Sequence, residues 1–191
     1  ALMIQVYTGN GKGKTTAAIG LAIRSLGAGH KVYLMQFMKS LAYSEQGLLH
    51  TLPHMTLETT GKPFFIAEDG MMDEKTKEAF GDSVVIFPKG HPPADYVALL
   101  SEGLRRAADA AATGEYQLVI LDEINVALAF GVLQKEQMEH FLEILPPETE
   151  LVCTGRNAPQ WLLDRADLIT EMKEVRHYYE RGIPARKGIE N

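Results

Sequence analysis

The stretch TGNGKGKTT, residues 8–16, constrains the fold of this chain more than any other feature of its sequence. It lies between an apolar segment, IQVYT, and a segment with helical periodicity, which is the context of a phosphate-binding loop. The usual pattern is G-x-x-x-x-G-K-S/T, but here Thr8 stands where the first glycine belongs, and the glycine follows one residue later, at Gly9. We therefore expect a strand–loop–helix unit that holds a polyphosphate and has an altered start to its loop.

The loop has the chemistry that phosphate binding needs. Successive backbone N–H groups in a glycine-rich turn form a concave anion site, and the N-terminus of the next helix adds positive potential. Lys14 is placed to reach phosphate oxygens, and the Thr15 hydroxyl is a candidate ligand of Mg²⁺. A turn that only joins a strand to a helix is the alternative, and the combination of motif and context argues against it. Nucleotide contacts are expected from Gly9, Asn10, Gly11, Lys12, Gly13, Lys14, Thr15 and Thr16.

Apolar runs recur along the chain and alternate with helical patterns. Several runs, such as VYLMQF and LVIL, are continuous, as in strands that are covered on both faces. Over 191 residues this alternation predicts a single α/β domain, a P-loop NTPase-like three-layer sandwich with a mostly parallel sheet of about six strands. Strands are expected at residues 3–8, 31–37, 55–60, 117–122, 150–154 and 168–175. Helices are expected from the phosphate loop to Gly27 or Gly29, from residue 94 to Gly114, over 134–145 and over 158–166.

Two segments show no clear periodicity. A long irregular segment in a compact domain is usually functional, and we expect an active-site loop at about residues 61–92. In this loop Phe64 and Phe65 are either core residues or contacts of a ligand. Residues 176–191, RHYYERGIPARKGIEN, are too rich in glycine, proline and charge for a helix and predict an irregular C-terminal tail. A surface loop and a frayed terminus are the plainer alternatives.

Two acids follow an apolar strand in the stretch QLVILDEIN. Asp122 and Glu123 would lie beside the phosphate loop if both strands are central, and carboxylate oxygens are ligands that Mg²⁺ prefers. Acids in the first turn of a helix are the alternative. In many ATPases the second acid activates water, so two roles stay open for Glu123.

Two other predicted strands end in polar residues at the edge of the sheet where ligands bind in parallel α/β folds. Arg156, in LVCTGRN, would face the nucleotide or a second substrate, or else cap the next helix. Gln36 and Lys39, in QFMKS, share that edge and the same alternatives.

The composition argues against several classes of function. With 19 Lys and Arg against 25 Asp and Glu, the formal charge is −6, which disfavours nucleic-acid binding. No apolar run approaches the roughly 18 residues of a membrane span, and no Cys/His spacing resembles a zinc site. The single cysteine, Cys153, cannot form an internal disulfide, so a reducing, cytoplasmic location is expected.

Six stretches together resemble the P-loop corrinoid adenosyltransferases, the cob(I)alamin or cob(I)yrinic acid a,c-diamide adenosyltransferases of vitamin B12 synthesis and salvage. They are IQVYTGNGKGKTTAAIGLAIR, LMQFMK, VILDEINVAL, CTGRNAP, ADLITEMKEVRH and GIPARKGIE, and they follow the family's order along nearly the whole chain. The phosphate loop of this family has the same displaced glycine.

The resemblance implies a reaction in which a Co(I) corrinoid attacks the 5′ carbon of ATP and expels triphosphate. It implies that ATP lies reversed relative to ordinary P-loop enzymes, and that no general base is needed because Co(I) is already a strong nucleophile. Lys14 and Glu123 are the expected catalytic residues, and Arg156 is a further contact of ATP. Thr15 and Glu123 are the expected ligands of Mg²⁺, with Asp122 behind them.

The corrinoid, which is cobalamin, cobinamide or cobyrinic acid a,c-diamide, is expected to contact Phe64, Phe65 and Lys39. Several family members carry a phenylalanine–tryptophan pair in this loop, which keeps a lower ligand off cobalt, whereas this chain has two phenylalanines. The resemblance also implies a homodimer, and a reductase or reduced flavin as electron source. A P-loop ATPase or regulatory module and a phosphotransferase for a small metabolite are the alternative hypotheses.

Overall fold

The computed structural model describes residues 2–40, 43–74, 77–78 and 84–191. Six of its strands form one parallel sheet: β1 (Met3–Thr8), β2 (Val32–Phe37), β3 (Met55–Thr60), β6 (Leu118–Asp122), β7 (Glu150–Thr154) and β8 (Leu168–Glu171). Their order across the sheet is β3-β2-β6-β7-β1-β8. Two more short strands, β4 (Phe65–Glu68) and β5 (Val84–Phe87), pair in parallel in a separate sheet.

Helices connect these strands. They are α1 (Lys14–Gly27), α2 (Ser44–Leu49), α3 (Ala94–Ala112), α4 (Ile124–Ala129), α5 (Lys135–Ile144), α6 (Gln160–Arg165) and a short 3-10 helix (Tyr178–Arg181). Within the described residues, no helix is both long and apolar enough to cross a membrane.

Two apolar cores lie on opposite faces of the six-stranded sheet, because successive side chains of a strand point to opposite faces. Along β2, Tyr33, Met35 and Phe37 pack into one core together with buried residues of α3 and α5. Val32 and Leu34 pack into the other core with buried alanines of α1. Both faces are therefore covered by helices, which confirms the predicted three-layer α/β fold and explains the continuous apolar runs.

The strands of the sheet match the predicted ones to within one residue at each end, except for β8. It ends at Glu171 rather than at residue 175, because the chain then turns to run against the phosphate loop. The sequence does not predict α2 and α4, which have six residues each.

The prediction of one irregular loop over residues 61–92 is wrong, because this segment contains β4 and β5. Each of these strands has four residues, FIAE and VVIF, which is too short for a readable alternation. Residues 75–76 and 79–83 of the segment lie outside the described part of the chain. The C-terminal tail is irregular apart from the 3-10 helix at Tyr178–Arg181.

Candidate active site

The phosphate loop lies between β1 and α1, at the carboxyl edge of the sheet. Gly9 and Gly13 have φ angles of 101° and 120°, which favour glycine. The Lys14 side chain is buried, and its ammonium donates to the carbonyl oxygen of Gly11 at 2.7 Å. Burial and the nearby charge of Arg156 lower the pKa of Lys14. The loop and the first turn of α1 thus hold backbone donors and an ammonium at one edge of the sheet.

The backbone that follows β8 explains why glycines stand at positions 9 and 11. Gly11 donates its N–H to the carbonyl oxygen of Met172 at 2.7 Å, and Met172 donates to the carbonyl oxygen of Thr8 at 2.8 Å. An added Cβ would lie 2.4 Å from the Met172 oxygen at Gly9 and 2.8 Å from it at Gly11. Thr8 itself accepts the N–H of Ala158 with its hydroxyl oxygen at 3.3 Å. The displaced glycine is therefore required by the chain's own packing.

Asp122, at the end of β6, is fully buried and accepts four hydrogen bonds. Its Oδ1 accepts from the hydroxyls of Thr15 at 2.7 Å and Thr154 at 2.6 Å. Its Oδ2 accepts from the ammonium of Lys39 at 2.6 Å and the amide of Gln36 at 3.3 Å. Burial alone would raise the pKa of Asp122, but the Lys39 charge and the donated hydrogen bonds outweigh burial and lower it. Asp122 is thus a buried anion at the end of β6, and its hydrogen bonds connect the start of α1 with the ends of β2 and β7.

Glu123 directly follows Asp122 and has a left-handed backbone with φ of 64°. Its N–H donates to the hydroxyl oxygen of Thr154 at 3.0 Å, and its half-buried side chain lines the pocket in front of the phosphate loop. Burial, and then the charge of Asp122, raise the pKa of Glu123. A cation bound beside this carboxylate would relieve an unfavourable negative charge.

A pocket of about 310 Å³ opens in front of the phosphate loop. Glu123 and Val126 line it from the start of α4, and exposed Arg156 lines it from the connection between β7 and α6. The other lining residues are Asn10, Gly11, Lys12, Gly13, Lys14, Thr15, Thr16, His177, Ile189 and Glu190. The structure therefore brings Arg156, Glu123 and most of the predicted loop residues together.

Three residues of the C-terminal tail in that pocket, His177, Ile189 and Glu190, are not among the residues predicted for the site. Tyr178 donates its hydroxyl hydrogen to the Glu190 carboxylate, which lowers the pKa of Glu190 to about 2. The Ser44 hydroxyl donates to the C-terminal carbonyl oxygen of Asn191 at 2.9 Å. The tail thus reaches from the phosphate loop to the start of α2. The stretches ADLITEMKEVRH and GIPARKGIE, which the family resemblance includes, hold the signal that could have found these residues.

Neither residue of the aromatic pair is among the residues that line the phosphate pocket. Phe64 is half-buried, and its ring centroid lies 6.2 Å from that of Tyr96 on α3. Phe65 begins β4 and is also half-buried. Lys39, the third predicted corrinoid contact, is 7% exposed and pairs with Asp122. The structure therefore places the Lys39 ammonium beside the phosphate loop.

A parallel α/β sheet with a glycine-rich loop between its first strand and first helix, and with two adjacent acids at the end of β6, which β7 separates from β1, defines a nucleotide-binding protein of the P-loop class. The sequence model of the family "ATP:corrinoid adenosyltransferase BtuR/CobO/CobP" matches residues 1–191, and the chain belongs to this family.

Two named relatives agree with this assignment. The chain is 33% identical over 189 residues to the corrinoid adenosyltransferase CobA of Salmonella typhimurium, covering 98% of this chain and 85% of that protein. It is 31% identical over 191 residues to a corrinoid adenosyltransferase of Pseudomonas aeruginosa, covering 98% and 83%. It is also 35% identical over 188 residues to an uncharacterized protein of Nostoc sp.. That match covers 91% of this chain but only 44% of the relative, so the chain spans less than half of that protein's length.

Proposed function

We propose that this chain transfers the 5′-deoxyadenosyl group of ATP to the Co(I) centre of a corrinoid and releases triphosphate, in the synthesis or salvage of adenosylcobalamin. The observation that carries the proposal is the family match over residues 1–191. The site geometry supports it, because the phosphate loop, Lys14 and Arg156 surround one pocket that suits a polyanion.

The reaction is a displacement at the 5′ carbon of ATP. The electron pair of Co(I) forms the cobalt–carbon bond, the bond from carbon to the triphosphate oxygen breaks, and its electron pair leaves with triphosphate. No proton has to move, so the protein needs no general base. Its task is to hold the leaving group, to stabilise the charge that develops on it and to orient the 5′ carbon.

Lys14 and the loop N–H groups are the groups that stabilise triphosphate in this scheme. The Lys14 ammonium donates to the Gly11 carbonyl oxygen within the loop and would exchange this partner for a phosphate oxygen when ATP binds. Arg156 is exposed at the rim of the pocket, and its charge would add to that of Lys14.

The residues at the pocket floor fit Mg²⁺. Thr15 gives its hydroxyl hydrogen to Asp122, and its oxygen accepts a hydrogen bond of 3.4 Å from Lys39, which leaves one lone pair to face a metal ion. Glu123 supplies a carboxylate that lines the same pocket and whose charge is unfavourable there. Thr15 and Glu123 would hold Mg²⁺ together with phosphate oxygens and water, as is usual for this ion. Bound there, Mg²⁺ would neutralise charge on the leaving triphosphate.

The corrinoid is assigned to the side of the molecule that carries Phe64 and Phe65. Phe64 packs on Tyr96 with part of its ring exposed, which is compatible with a flat apolar ligand. The resemblance further supports a homodimer and a reductase or reduced flavin as electron source. Buried, unpaired Cys153 is compatible with a reducing, cytoplasmic location.

The test is to incubate the protein with magnesium-ATP and chemically reduced corrinoid in the dark. A light-sensitive alkylcobalt spectrum and inorganic triphosphate are expected. Release of ADP and phosphate with an unchanged corrinoid would overturn the proposal and favour an ATPase in which Glu123 activates water.

A further inference from the structure

Lys39 is a buried cation beside the phosphate loop, and burying an ammonium is costly unless it is paired. It follows Met38, whose φ of 61° redirects the chain directly after β2. The Lys39 ammonium lies 2.6 Å from Asp122 Oδ2 and 3.4 Å from the hydroxyl oxygen of Thr15. Its polar contacts are thus with two residues of the nucleotide site.

The four hydrogen bonds donated to Asp122 fill its acceptor positions, because two carboxylate oxygens offer about four lone-pair positions. Gln36, one of these donors, is itself held by an amide hydrogen bond of 2.7 Å from Gln46 on α2. A metal-bound water could reach an Asp122 oxygen only by displacing one of these groups. Asp122 therefore acts on a metal ion through Thr15, whose hydroxyl hydrogen it accepts.

We propose that Lys39 is a positioning residue for magnesium-ATP: it holds Asp122 in the orientation that directs the remaining lone pair of the Thr15 hydroxyl toward the metal ion. The inference rests on the proposed function for the identity of the site. It differs from the sequence-based prediction, which assigns Lys39 to the corrinoid.

Lys39→Met is the direct test, and it is measured without corrinoid so that failure of the adenosyl transfer would not affect it. Binding of ATP is followed by calorimetry with saturating Mg²⁺ and with EDTA, and the affinity for the metal is measured with Mn²⁺ by electron paramagnetic resonance. A residue that supports a metal ligand typically changes metal affinity by 10–100-fold. We expect a loss of about tenfold or more in metal affinity, and less than about threefold in metal-free ATP binding.

Lys31→Met is the matched control, because Lys31 is exposed just before the opposite end of the same strand. It should leave both affinities unchanged. Metal affinity within about twofold of wild type in Lys39→Met would overturn the proposal. In a separate adenosyl-transfer assay, an increased KM for corrinoid with unchanged magnesium-ATP binding would also overturn it and return Lys39 to the corrinoid site.

Loss of Lys39 leaves the Asp122 charge uncompensated, and Lys39→Met could fail to fold for that reason. The double variant Lys39→Met/Asp122→Asn removes both charges and is compared with Asp122→Asn alone, in which the buried Lys39 can lose its proton and become neutral. If Lys39 acts through Asp122, the two have equal metal affinities. A further loss of about tenfold in the double variant would show an independent action of Lys39 and overturn the proposal.

Discussion

The N–H of Gly11 in the phosphate loop donates a 2.7 Å hydrogen bond to the carbonyl oxygen of Met172, the first residue after β8. The same Met172 backbone lies where a Cβ at Gly9 would be. The phosphate loop thus packs directly against the segment that continues to His177 and the C-terminal tail. Two parts of the chain that are far apart in sequence therefore form one pocket.

Gly9→Ala should destabilise the protein and weaken ATP binding. Its φ of 101° and a 2.4 Å approach to Met172 O leave no room for Cβ. The unfavourable backbone conformation alone costs about 1–2 kcal/mol. Urea unfolding should therefore show a free energy of unfolding that is lower by about 2 kcal/mol or more. Gly20→Ala on α1 is the control, since an added Cβ there meets nothing within 4 Å. It should stabilise by about 0.5–1 kcal/mol. Equal unfolding midpoints for Gly9→Ala and wild type would contradict this account.

Neutralising Glu123 and neutralising Asp122 should change the free energy of unfolding in opposite directions. Folding raises the pKa of Glu123, so its stabilising contribution is full below its unfolded pKa and is lost as pH rises through the folded pKa. Folding lowers the pKa of Asp122, so its contribution is present above its unfolded pKa and is lost as pH falls. Without magnesium at neutral pH, Glu123→Gln should therefore raise the free energy of unfolding, and Asp122→Asn should lower it. Urea unfolding of both variants between about pH 4 and 8 checks the signs.

The Glu123→Gln variant should nevertheless lose function. If Glu123 is a direct ligand of Mg²⁺, its neutralisation weakens metal binding by about tenfold or more. A variant that keeps full magnesium affinity would remove Glu123 from this role, and one that is less stable than wild type would contradict the preceding prediction.

Lys14→Ala should abolish adenosyl transfer while the fold is kept. The ammonium is buried and its pKa is lowered, so its charge opposes folding and its removal should not unfold the protein. A lost donor to developing negative charge typically costs about 10²–10³-fold in rate. Lys12→Ala is the comparison, because Lys12 is an exposed residue of the same loop and should lose less. Steady-state rates and circular dichroism are the measurements, and substantial activity in folded Lys14→Ala would exclude the assigned role.

The sheet was predictable because its strands are continuous apolar runs. The phosphate loop was predictable because its glycine-rich motif stands between a predicted strand and a predicted helix. The placement of Lys39 was not predictable, since a lysine after a strand reads the same whether it faces solvent or Asp122. The packing of Met172 against Gly9 joins residues 163 positions apart, and no local pattern encodes such a contact. Residues 65–68 and 84–87 escaped prediction as strands because four residues carry too little periodicity.

Phe64→Ala should mainly impair reactions that start from Co(II) corrinoid and a reductant. If Phe64 keeps a lower ligand off cobalt, it matters before Co(I) forms and not afterwards. Initial rates with Co(II) plus reductant and with prereduced Co(I) are compared, with Phe64→Leu as the control that keeps apolar volume. Equal losses in both assays would contradict the assignment, as would unchanged rates in both. Phe65→Ala is assayed in the same way.

Removal of residues 183–191 should weaken ATP binding without unfolding the sheet. This removes Ile189 and Glu190 from the pocket wall, together with the contact between Asn191 and Ser44. A loss of about tenfold in ATP affinity, equivalent to about 1.4 kcal/mol, is expected by calorimetry. Ser44→Ala is the matched control, because it removes only an exposed hydrogen bond and should change the affinity by less than about threefold. Unchanged ATP affinity in the truncated chain would show that the tail covers the pocket without contributing to nucleotide binding.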